Sequence, residues 1–110
     1  MKTKDLEDAI ELKNILNSSE KMKFITALCE SEKATITNIQ KNYFSDDYNL
    51  VITTCFELFN SNIIKQTNNA HYYGDRAFEI KDNWKAGARM LNEIIYDLQF
   101  NNELYVEIRD

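Results

Sequence analysis

The chain has 110 residues and a formal charge of −5, with 44% hydrophobic and 28% charged residues, a balance that suits one globular domain and excludes a disordered composition. No apolar run approaches the roughly 18–20 residues that span a bilayer, and Met1-Lys2-Thr3-Lys4-Asp5 leads into no apolar leader, so a soluble, cytoplasmic chain without a membrane partner is expected. The acids lie towards the two ends while residues 33–81 are neutral, which argues against a strongly basic nucleic-acid face but leaves room for a local cationic patch.

Proline is absent and the only glycines are Gly74 and Gly87, so few tight turns and a mainly helical chain are expected. Leu6, Ala9, Ile10, Ile15 and Leu16 recur at helical spacing behind early acids, which places a first helix at about 4–17. Asn17-Ser18-Ser19 stops it and caps a second helix that carries Met22, Ile25, Leu28 and Cys29 and ends near Glu30. Thr35 opens a short helix with Ile36, Ile39 and Tyr43 facing inward. Ser45-Asp46-Asp47 caps a longer one, in which Tyr48, Val51, Ile52, Cys55, Phe56, Leu58 and Phe59 form a wide apolar face.

The period then changes. Ile63–Thr67 and Tyr72–Lys81 read as two strands of a hairpin with a long polar tip. Asp82 caps a last long helix at about 83–99. Its Trp84, Ala88, Leu91, Ile95 and Leu98 step by four and three as a heptad-like seam, which together with Leu6 and Ile10 is expected to form a homodimer interface. Residues 100–110 suit a strand or a helical extension equally.

Groups for chemistry are scarce. His71 is the one histidine and has no Cys or His at metal-ligand spacing, and no glycine-rich phosphate loop occurs. Cys29 and Cys55 each sit in an apolar pattern and read as reduced core thiols. Asp46-Asp47 reads as a helix start rather than a carboxylate pair. No catalytic residue, metal or cofactor is expected, and no enzyme.

The order of elements is that of a mainly α winged helix-turn-helix with a small β-hairpin and flanking dimerisation helices. One domain would span 1–110, with the helix pair at about 35–60 and the wing at about 63–81. Leu12–Leu16, Met22–Leu28, Thr35-Ile36-Thr37-Asn38-Ile39, Leu58–Lys65 and Gly74–Ile80 resemble the ArsR and MarR winged-helix transcription regulators over about residues 12–98.

That resemblance implies a small dimeric regulator that occupies an operator in double-stranded DNA. Thr35, Lys41, Tyr48, Asn49, Thr53, Lys65 and Arg76 are the candidate contacts. Asn49 and Thr53 suit base edges, and the cations suit phosphates or, for Arg76, a minor groove. Two departures stand beside it. The second helix of the pair starts on two aspartates with no basic residue before Lys65, and the cysteine and histidine clusters of metal-sensing members are missing. The alternative expectation is a winged-helix adaptor or inhibitor that binds a basic protein partner and not DNA.

Overall fold

The computed structural model describes residues 3–31, 34–67 and 76–109, with side chains described over 4–31, 34–67 and 76–97. Among the described residues, five helices and three short strands follow in the order α1 (Thr3–Ile15), α2 (Ser19–Ser31), β1 (Ala34–Thr35), α3 (Ile36–Tyr43), α4 (Tyr48–Asn60), β2 (Ile64–Gln66), β3 (Ala77–Ile80) and α5 (Asp82–Arg109). The molecule is therefore mainly helical with a small antiparallel sheet. No described helix is long and apolar enough to cross a membrane. Lys33, His71, Tyr72, Tyr73, Gly74 and Asp75, all read from the sequence, lie outside the described residues, as does the side chain of Leu98.

The helix starts follow from capping chemistry. Ser18 Oγ accepts from the Lys21 amide at 3.2 Å and Thr35 Oγ1 from the Asn38 amide at 3.2 Å. Asp47 Oδ1 accepts from the Leu50 amide at 3.1 Å. Each satisfies an amide that the first turn of a helix leaves without an intrahelical acceptor. α1 ends two residues earlier than the sequence reading placed it, at Ile15, although Leu16 N still donates to Leu12 O at 2.8 Å and Leu16 is buried. α5 settles the open question over residues 100–109, because its backbone is helical through Arg109.

The sheet has one strand more than the expected hairpin. β3 is central, with β1 and β2 on either side, in the registers Ala34↔Phe78 and Ile64↔Ile80. β1 is a two-residue bridge immediately before a helix cap, too short to show a period-two pattern.

Behind the sheet, α2 presents Phe24, Ile25, Ala27 and Leu28 to one contiguous core that also holds Ile39, Val51, Leu58, Ile63, Ile64 and Phe78. Phe24 meets Phe44 edge to face, with ring centroids 6.4 Å apart. α1 lies along α5, joined there by its buried Ala9 and Leu12. Gly87 lets the two backbones approach, since a Cβ at that position would stand 2.8 Å from Asp8 Cβ.

Candidate interaction face on α4

α4 is wider in apolar residues than the core can use. At about 100° per residue its apolar set spans an arc of about 160°, while a core-facing stripe needs little more than 100°. The helix resolves this by splitting the set. Val51, Thr54, Cys55 and Leu58 turn inward. The rest of the apolar face turns outward: Tyr48, Ile52, Phe56 and Phe59 are 57%, 38%, 65% and 48% exposed. Thr54, the buried polar member, donates its hydroxyl to Leu50 O at 2.7 Å and so leaves no unpaired group inside.

The four exposed side chains fall at i, i+4, i+8 and i+11 and make one stripe along the helix. Beside it runs a groove of about 290 Å³, walled by Ile36, Ile52, Cys55, Phe56, Phe59 and Phe78, with Gln66 and Arg76 at its polar edge. Taking about 200 Å² for a large side chain, the stripe leaves roughly 400 Å² of apolar surface in water, within the size of patch that on a monomer often carries function.

Charge around this face is sparse and mostly committed. α4 has no cation, and its N-terminal amides are answered by its own Asp47, so a phosphate would meet a carboxylate there. Asp46 Oδ1 accepts from Gln40 Nε2 at 3.0 Å. Glu57 pairs with Lys21 at 3.4 Å. Lys65, a candidate phosphate contact, pairs instead with Glu79 at 3.2 Å, its cross-strand neighbour.

Arg76 stands immediately before β3, where its carbonyl accepts from the Ile36 amide at 2.9 Å. Its side chain is exposed and meets no carboxylate among the described residues. Burial pushes the Cys55 thiol up to about 12, and the Arg76 guanidinium pulls the other way, which sets Arg76 beside the groove.

Of the remaining DNA candidates, Thr35 spends its hydroxyl capping α3, and Lys41 is exposed in the last turn of that helix. Tyr48, Asn49 and Thr53 are exposed together on α4. The expected dimer residues divide. Ala88 and Leu91 are buried within the single chain, with Trp84 and Ile95 packed against the same core, whereas Leu6 and Ile10 are exposed on α1.

Missed by the sequence reading were Ile52, Phe56 and Phe59 as surface residues, although the excessive apolar arc of α4 was the available signal. A second groove, of about 460 Å³, runs between α2, α3 and α5 past Met22, Tyr43 and Ile95. At its edge the Tyr43 hydroxyl donates to Glu30. Among the described residues no group of three His, Cys, Asp or Glu side chains is placed to hold a metal. No family model, curated protein or solved structure matches the chain.

Proposed function

We propose that the chain is a winged-helix module that binds a protein partner through the exposed face of α4 and pairs with a second copy of itself through α1 and α5. The sheet order β1-β3-β2, with the α3–α4 pair connecting β1 to β2 along the chain, supports the winged-helix architecture. The observation that carries the function is the stripe of Tyr48, Ile52, Phe56 and Phe59 on the helix that such a fold offers to its target. Uncharged aromatic and aliphatic side chains over aspartates gain little from a phosphate backbone, and they are the anchors of protein interfaces.

The operator-binding regulator is the second reading. The same element order favours it, with Asn49 and Thr53 exposed one turn apart on α4, Lys41 exposed on α3 and Arg76 exposed before β3. One pair of measurements separates the two. A photoreactive phenylalanine analogue in place of Phe56, activated in cells that make the protein, is expected to trap polypeptide. A duplex library at low salt is expected to show no binding. Salt-dependent duplex binding that tightens in Asp47→Asn and loses discrimination in Asn49→Ala would overturn the protein-binding reading.

Self-association is supported by Leu6 and Ile10, which a single chain leaves exposed, and by the length of α5. That helix has 28 residues against 13 in α1, so it outruns its neighbour by about 20 Å. Sedimentation is expected to give twice the 13.0 kDa chain mass. Ile10→Asp is expected to give a folded monomer. Leu91→Asp would unfold the chain whatever its oligomeric state, since Leu91 lies in the core.

A further inference from the structure

We propose that the groove between α4 and β3 takes an amphipathic helix of the partner protein, lying antiparallel to α4, with basic residues at its C-terminal end and an acidic residue at its N-terminal end. This rests on the protein-binding reading above and specifies the partner. The groove offers about 290 Å³, the small end of the range for enclosed small-molecule sites, and Tyr48 carries the apolar stripe beyond it, so a row of side chains fits better than one compact molecule. A partner helix with apolar residues at i, i+4 and i+7 matches the spacing of Tyr48, Ile52, Phe56 and Phe59.

The charges fix its direction. Asp46 and Asp47 stand at the start of α4, with no cation paired to them among the described residues. Arg76 lines the groove beside Cys55, about 12 Å further along the helix at 1.5 Å per residue. A helix with acids at its N-terminus and bases at its C-terminus is also the one its own dipole favours, and that polarity sets it antiparallel to α4.

A second copy on this face would bury about 800 Å², as would a partner helix, and a dimer lost by sedimentation in Phe56→Ala would overturn the proposal in favour of the second copy. An anionic lipid surface does not suit this face, because acids flank the stripe and α4 carries no cation.

The test uses the full chain and a fluorescent synthetic helix of four turns, with leucines at the facing positions, glutamates at its N-terminal end and lysines at its C-terminal end. A second peptide has the charged ends exchanged. In anisotropy titrations the first is expected to bind at least about 5-fold tighter than the second. Phe56→Ala is expected to weaken it at least about 10-fold, and Arg76→Glu to abolish the preference between peptides, with thermal melts of both variants unchanged. Equal affinity for the two peptides, indifference to Phe56→Ala, or no binding of either would overturn the proposal. Trapping of polypeptide from position 56 is read separately, so failure of the helical partner is distinguishable from failure of the protein-binding reading.

Discussion

Replacing Gly87 with alanine sets two effects of opposite sign against each other. In a helix interior, glycine to alanine is worth about 1 kcal/mol in favour of the folded state. Here the added Cβ would stand 2.8 Å from Asp8 Cβ, 3.1 Å from the Asp8 carbonyl carbon and 3.2 Å from the Ala9 nitrogen. None of these atoms is the end of a flexible side chain. α1 must therefore withdraw by about 0.6 Å or more to reach ordinary van der Waals contact. A gap of that size forfeits a quarter to a half of the attraction between facing atoms, loosening Ala9 and Leu12 on α5, and overpacking of this kind costs about 1–3 kcal/mol. The steric loss matches or outweighs the propensity gain, so Gly87→Ala is expected to destabilise the fold by up to about 2 kcal/mol and lower Tm by up to about 10 °C. Urea and thermal unfolding followed by circular dichroism measure it. Ala86→Gly, at the exposed neighbouring position, calibrates the propensity term in the same helix. A rise in Tm for Gly87→Ala would refute the reasoning, because propensity would then have won and α1 would not be in close contact at that point.

Both thiols are expected to resist alkylation. Burial holds Cys29 at about 11, with Arg89 opposing and Glu30 adding to the rise, and Cys55 at about 12. At about pH 8 the thiolate of Cys29 is therefore about 100-fold rarer than that of an ordinary cysteine, and iodoacetamide should label the native protein far more slowly than the unfolded one. Because these thiols bind their protons more tightly when folded, their contribution to stability is complete below pH 9 and declines as pH rises towards 11 and beyond. Alkaline melts should show that loss, and Cys29→Ala should reduce it. Tyr43, raised to about 12 first by burial and then by donating to the Glu30 carboxylate, is expected to titrate lower in Glu30→Gln. Its pKa should fall towards the ordinary 10.0 without reaching it, as followed by phenolate absorbance.

What was legible in the chain was local chemistry. Thr35 and Asp47 announce helix starts because a short polar side chain before an apolar stripe can answer the free amides of a first turn, and both do so. Ile64–Gln66 and Ala77–Ile80 announce strands by their β-prone composition. Spacing alone does not name the surface that covers an apolar residue. Ala88 and Leu91 read as a seam for a second subunit, yet α1 of the same chain meets α5 there. Phe56 and Phe59 share one apolar face with Val51, Cys55 and Leu58, yet those three fill the core before the phenylalanines can reach it. Arg76 read as the tip of a wing. Its place beside Cys55 depends on β1 pairing with β3, and a two-residue strand leaves no pattern in sequence.

The turn between α3 and α4 has a thermodynamic consequence for anything that docks on α4. Ser45 and Asp46 both adopt left-handed backbone angles, with φ of 50° and 65°, a conformation that non-glycine residues rarely keep without support. Gln40 supplies that support from the preceding helix. Its amide donates to Asp46 O at 3.1 Å and to Asp46 Oδ1 at 3.0 Å, and its carbonyl accepts from Asp46 N at 3.0 Å. Clasped in this way, α4 is already oriented before any encounter, and little conformational entropy remains to be lost on the receptor's side of the association. The ordering penalty then falls on the incoming chain, so the ranking of affinities among different binders should follow how readily each one becomes helical in isolation.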